Sequence, residues 1–198
     1  KYKSRIYCKG KKDCNKIIWS DNNPQLFFYG HNIVSINELK IKTGKNTPDG
    51  VIIYSLYGEK RDRVVLVRQY RYAIGGYIYE FPAGLVEPNE EFHEGAVREM
   101  YEETGLKFTP LKVDPAFEKP YFTTVGMTDE SCATVYGYAE GEISKDAQED
   151  TEEIEVVLAD REEVKRILRE ENVAIMCAYQ LMHFLQDEDP FAFLKEEL

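Results

Sequence analysis

Gly84-Leu-Val-Glu-Pro-Asn-Glu90-Glu-Phe-His-Glu-Gly-Ala-Val-Arg98-Glu-Met-Tyr-Glu-Glu-Thr-Gly-Leu106 carries more carboxylates than a surface helix needs. Gly84 follows a Pro82-Ala83 turn, and Pro88 and Asn89 keep the next residues irregular. From about Glu90 the residues suit a helix of about four turns that Gly105 can end. At about 100° per residue, Ala96, Val97 and Met100 share an apolar side, while Glu99, Glu102 and Glu103 share another. Glu99 and Glu103, one turn apart, repel by roughly 0.2–0.5 kcal/mol, a cost that a bound cation would reverse. Oxygen-only ligands at this spacing suit Mg²⁺, a hard ion that takes carboxylates, water and phosphate oxygens. Glu94 lies one turn before Arg98 and Glu90 two turns before it, so the arginine is expected to hold acids without blocking the ligand face. A solvated acidic helix is the competing reading of these residues.

Around this stretch, 198 residues are enough for one well-cored domain of about 150 residues plus an extension, not for two full domains. Apolar residues at 43% and charged ones at 31% exclude a disordered chain, and 14 Tyr with 10 Phe promise a large aromatic share of core or interface. A net charge of −11 argues against a nucleic-acid backbone or an anionic membrane as partner. Cys8, Cys14, Cys132 and Cys177 form no CxxC pair, so reduced thiols in the cytoplasm are expected. Cys8 and Cys14 flank Lys9-Gly-Lys-Lys-Asp13 and leave half of a metal knuckle as an alternative. No apolar run approaches the ~18 residues of a membrane span, and no signal-peptide pattern is present.

Residues 1–31 mix basic and aromatic residues and read as a short strand or hairpin arm, followed by a further strand over His31–Lys42, within an arm region of residues 1–45. Its Trp19, Phe27, Phe28 and Tyr29 need a surface to lie on, such as a second subunit. Gly50–Tyr57 and Arg63–Tyr70 read as two strands of a hairpin, and their continuous apolar runs predict burial on both faces. Arg71–Gly76 is a bend, Tyr77–Phe81 leads to the Pro82 turn, and Pro120–Glu130 is a loop. Ser131–Tyr138 and Ile154–Leu158 are further strands. Asp160 caps a helix with Glu163 at its third position, and Ile175, Ala178, Leu181, Met182 and Leu185 mark a last helix.

The opening stretch resembles the Nudix box: Gly, five residues, Glu, seven residues, then Arg-Glu-aliphatic-any-Glu-Glu-any-Gly-aliphatic. Gly84, Glu90, Arg98, Glu99, Met100, Glu102, Glu103, Gly105 and Leu106 meet every constrained position. The resemblance covers about residues 50–186 and implies an α/β fold, the Nudix-type α/β/α sandwich with a mixed sheet. On this reading residues 46–198 are the Nudix hydrolase domain and 1–45 an N-terminal β arm that forms a homodimer. The resemblance further implies that Glu99, Glu102 and Glu103 bind a divalent metal, Mg²⁺ or in its place Mn²⁺. The implied reaction is hydrolysis of a nucleoside diphosphate linked to another moiety. An intact box weighs against a non-catalytic nucleotide-sugar sensor, and the acidic charge against a nucleic-acid-bound enzyme.

Arg61-Asp-Arg-Val-Val-Leu-Val-Arg-Gln-Tyr-Arg71, Tyr79-Glu-Phe-Pro-Ala-Gly84 and Gly126-Met-Thr-Asp-Glu130, in that order around the box, look like the ADP-ribose pyrophosphatase branch. That resemblance implies that the Ala83 carbonyl completes the metal shell and that Arg71 reaches the diphosphate, supplying positive charge the composition lacks. It also implies that Glu130 contacts the ribose, often across the dimer. The branch usually has Ser-Pro-Gly where this chain has Thr124-Val125-Gly126, which keeps other nucleoside diphosphate sugars, or a dinucleotide, open as substrates. The catalytic base in this branch tends to sit in a late acidic loop, here Gln148–Glu153, with Glu152 first, then Asp150 and Glu153. The box acid Glu103 is a further catalytic candidate. Trp19 and Phe28 are candidates for stacking on adenine.

Overall fold

The computed structural model describes residues 47–125, 127–146 and 154–195. The chain divides into two compact units, Gly50–Lys119 with Cys132–Leu198, and Lys1–Asp49 with Pro120–Ser131. The expected arm with Trp19 and Phe28, the thiols Cys8 and Cys14, and the acids Asp150, Glu152 and Glu153 lie outside the described residues.

In the larger unit, β-branched and aromatic runs form β1 (Gly50–Tyr57) and β2 (Arg63–Arg71). The two are antiparallel, as a hairpin requires, but share only the register pairs Leu56–Val64 and Tyr57–Arg63 before they part. Residues 76–85 thread the resulting fork: β3 (Gly76–Glu80) pairs along β2 and β4 (Ala83–Leu85) along β1. The expected turn at Pro82-Ala83-Gly84 is therefore a strand entry, with Ile53 N donating to Pro82 O at 2.8 Å. On its other edge β1 runs parallel to β7 (Ser131–Glu140), from Gly50–Cys132 to Tyr57–Ala139. β5 (Lys107–Pro110) continues antiparallel to β7, and β8 (Ile154–Ala159) antiparallel to β2. One parallel pairing among antiparallel ones makes the sheet mixed.

α1 (Phe92–Thr104) packs on one face of this sheet, where Ala96, Met100 and Leu106 meet Val51, Ile53, Val65, Val135 and Ala139. α3 (Arg161–Glu170) and α4 (Ile175–Gln186) pack on the other face, where Val164, Ile167, Leu181 and Phe184 meet Tyr54, Leu56, Leu66 and Phe81. The layers are α/β/α, and burial of β1 and β2 on both faces follows. A short α2 (Pro115–Glu118) precedes the end of this part of the unit.

Local departures have local causes. α1 begins at Phe92 because the Glu91 carboxylate, not Glu90, accepts the His93 N–H as its cap. Val97 is 39% exposed rather than core. On α4 the inward residues are Cys177, Leu181 and Phe184, while Ile175 and Met182 face outward. Asp160 does cap α3, its carboxylate accepting from Glu162 N and Glu163 N. No described helix is long and apolar enough to cross a membrane.

In the smaller unit, β6 (Tyr121–Phe122) opens the Pro120–Ser131 segment. Thr123 N donates to Glu130 O at 3.1 Å, and Asp49 accepts from Ser131 N at 2.8 Å.

Candidate active site

The acids of α1 are held near the end of the helix by what stops it. Gly105 sits at φ 75°, and a Cβ there would lie 2.6 Å from Ser144 N, so only glycine makes this exit. Glu102 and Glu103 thus occupy the last turn, with no basic residue beside them in that turn. Carboxylates at a helix C-terminus work against the macrodipole by about 0.3–1 kcal/mol each. A local cation would reverse that cost.

β4 runs directly beneath two of these acids. A Cβ on Gly84 would fall 2.0 Å from Glu99 Cδ and within 2.3 Å of both its oxygens, so the Glu99 carboxylate fills the space the glycine leaves. Ala83 N donates to Glu103 Oε2 at 3.2 Å, and Glu103 is only 5% exposed. A buried carboxylate needs such partners to remain charged.

Arg98 departs from expectation. It reaches Glu90 rather than Glu94, through Nε to Oε1 at 2.9 Å and Nη2 to Oε2 at 3.0 Å. Its Nη2 also donates to Leu85 O at 3.0 Å. The Nη1 group does touch the acidic face, donating to Glu99 Oε1 and Glu102 Oε2, both at 2.8 Å. One guanidinium therefore joins the helix, its approach loop and β4, because its planar fork serves several acceptors at once. The hydrogen bond to Glu90, then those to Glu99 and Glu102, keep Arg98 protonated far above its ordinary value, and Arg98 holds Glu90 below the usual carboxylate range.

The sheet brings Arg71 to the same face. Val65 packs on the α1 side and Val64 and Leu66 on the other, so alternation along β2 puts Val67, Gln69 and Arg71 on the α1 side. There Arg71 Nε donates to Glu80 Oε2 at 2.8 Å, and its Nη2 makes an ion-pair contact with the same oxygen at 2.7 Å. Glu130 belongs to the smaller unit, where its Oε2 accepts from Thr123 Oγ1 at 2.7 Å.

The NUDIX domain pattern matches residues 46–178. The chain belongs to the NUDIX family. A mouse ADP-sugar pyrophosphatase is 45% identical over 53 residues, covering 27% of this chain and 24% of that protein. A Saccharomyces cerevisiae ADP-ribose pyrophosphatase is 35% identical over 69 residues, covering 34% and 30%. The chain spans from 24% to 52% of the length of the first curated relatives it matches. The structure of a NUDIX hydrolase from Nitrosomonas europaea superposes with a TM-score of 0.53 at 20% identity, covering 70% of this chain and 88% of that one, and shares the fold.

Do the residues of this Nudix site fit a divalent cation? Among the described residues no three acid, imidazole or thiol side chains form a ready-made cage. Mg²⁺ needs none, since it keeps several waters and binds through one or two carboxylates plus substrate phosphates. The donor set is all oxygen, and the Gly84 gap seats Glu99 against β4. The residues fit.

Sequence reasoning missed two clusters. Gln69 and Arg71 share the Glu80 carboxylate, which the alternation in Arg68–Arg71 and Tyr77–Glu80 would have put on one face. The second is His93, whose Nδ1 lies 3.0 Å from Glu91 and Nε2 3.1 Å from Glu118. Glu118 lies 25 positions away, and no local pattern announces it. Burial opposes charge on His93, but its two carboxylate partners outweigh that and raise its pKa. Burial raises Glu118 more than the imidazole lowers it.

Proposed function

We propose that this Nudix chain hydrolyses the diphosphate bond of ADP-ribose or a related nucleoside diphosphate sugar, releasing a nucleoside monophosphate and a sugar phosphate. The observation that carries the reading is one sheet face bearing both Glu99, Glu102 and Glu103 on α1 and the half-exposed Arg71 on β2. A diphosphate brings negative charge, and this arrangement offers it a guanidinium on the same side of the sheet as acids able to recruit cations.

Glu99, Glu102 and Glu103 would hold Mg²⁺ or Mn²⁺, with Ala83 beside them. When bound, the cation neutralises phosphate charge and activates water for in-line attack. The chain itself supplies position: Arg98 fixes Glu99 and Glu102, Ala83 N–H fixes Glu103, and Arg71 binds the diphosphate. Glu152, Asp150, Glu153 and Glu103 are the candidate bases, Glu130 the ribose contact, and Trp19 or Phe28 the adenine platform. Residues 1–45 would form the arm of a homodimer. The names of the mouse and yeast relatives support the substrate class.

A panel of ADP-ribose, other nucleoside diphosphate sugars, NADH and dinucleoside polyphosphates with Mg²⁺ tests this reading. ADP-ribose or another nucleoside diphosphate sugar is expected to turn over fastest. Preferential cleavage of NADH or dinucleoside polyphosphates would contradict it.

A further inference from the structure

We infer that Glu80, assisted by Gln69, is a positioning residue that aims Arg71 at the substrate diphosphate, a step that rests on the role proposed for Arg71 above. A single oxygen, Glu80 Oε2, accepts from Gln69 Nε2 at 3.1 Å and from Arg71 Nε at 2.8 Å, and it lies 2.7 Å from Arg71 Nη2 as an ion pair. Glu80 is the anchored partner of the pair, its side chain 19% exposed against 49% for Arg71. Its place follows from register, since Val67 pairs with Glu80 while Gln69 pairs with Ile78 and Arg71 with Gly76. Residues two apart on paired strands lie within reach of long side chains.

The geometry leaves Arg71 one way to act. Its Nε–Nη2 edge is spent on Glu80, so the Nη1 end of the planar fork is turned away from the carboxylate. Gly76 opposite carries no side chain, and a Cβ there would meet nothing nearer than Ile74 O at 4.0 Å. Two anions can thus share one guanidinium on separate edges, the protein's on one and a phosphate on the other. Anchoring the arginine beforehand removes part of the ordering cost that binding would otherwise bear. Arg68, three residues earlier, is the contrast: it lies on the opposite face, paired with Glu155 at 3.2 Å and stacked 4.1 Å from the Tyr77 ring.

Calorimetric titration of the full chain with ADP, a diphosphate probe that requires no turnover, tests the assignment. Arg71→Ala should weaken ADP binding by at least about tenfold and Glu80→Ala by about fivefold, whereas Arg71→Ala/Glu80→Ala should be no weaker than Arg71→Ala alone. Glu80→Gln, which keeps the side-chain shape and an acceptor oxygen, should fall between wild type and Glu80→Ala. A purely structural Glu80 would instead give losses that add to that of Arg71→Ala. Additive losses, wild-type affinity in Glu80→Ala and Glu80→Gln, or no ADP binding by the wild-type chain would each overturn the inference. Absence of ADP-ribose turnover with this ADP pattern intact would sink the hydrolase reading and leave the role of Glu80 standing.

Discussion

The two faces of the sheet use the same strands for different ends. Towards α3 and α4, Tyr54, Leu56, Leu66, Phe81, Phe184 and Phe191 are none of them more than 2% exposed, and burial pushes the Tyr54 phenol and Cys177 thiol far up. Towards α1, the core of Val51, Ile53, Val65 and Met100 is accompanied by the charged groups Glu99, Glu103, Arg98, Arg71 and Glu80. Both faces carry a buried core, but the α1 side also carries the acids and arginines to which a function is assigned above, a contrast that substitutions can probe.

The largest effects should separate the faces outright. Glu99→Gln and Glu103→Gln should each lower kcat at least about a hundredfold with melting temperature near wild type, because each removes a ligand charge. Glu102→Gln should be similar or milder. On the other face Phe184→Ala should cost about 3–5 kcal/mol of stability while the folded fraction keeps its kcat. Calorimetric melting combined with steady-state rates reads both, and a common loss of stability in all these variants would erase the distinction.

Next in size is Gly84→Ala. Its Cβ would coincide with the Glu99 carboxylate, so kcat should fall by roughly tenfold or more with only a modest change in melting temperature. Normal turnover would mean that the seat of Glu99 on β4 is not used.

The smallest effect sharpens the α1 side. His93 joins α1 to α2 through Glu118, and its pKa is raised above 6.5. A raised folded-state value stabilises fully below pH 6.5, and the contribution is lost as pH rises through the folded value. Glu118, raised above 4.5, acts in the same direction at lower pH. His93 is partly exposed, so solvent screening keeps the effect below about 1 kcal/mol. The melting temperature of wild type should fall relative to His93→Gln as pH rises above 6.5, the direction set by that raised value. Parallel profiles would deny the clamp.

Where pattern and chemistry are local, the sequence was enough. The strands at Gly50 and Arg63, the Asp160 cap, the Gly105 exit and the acidic face of α1 all follow from spacing within one element. What escaped depends on partners distant in the chain. The fork that turns Ala83–Leu85 into a strand requires knowing that β1 and β2 part after two register pairs. The choice of Glu90 over Glu94 by Arg98 depends on the loop folding back over the helix, as the Glu87 N–H to Glu90 hydrogen bond of 2.9 Å shows. Pro110 ends β5, paired with Gly137, whose missing Cβ leaves room for Thr109 O and the Phe108 ring.

The acidic edge of α1 is proposed to recruit a divalent cation for cleavage of a diphosphate. The most direct measurement is single-turnover release of AMP from ADP-ribose across a Mg²⁺ titration, in wild type and in Glu99→Gln. Wild type should release AMP at a rate that saturates with Mg²⁺ and vanishes in chelator, and Glu99→Gln should stay at least about a hundredfold slower at every concentration. Release that is indifferent to chelator, or Glu99→Gln matching wild type at saturating Mg²⁺, would contradict the account.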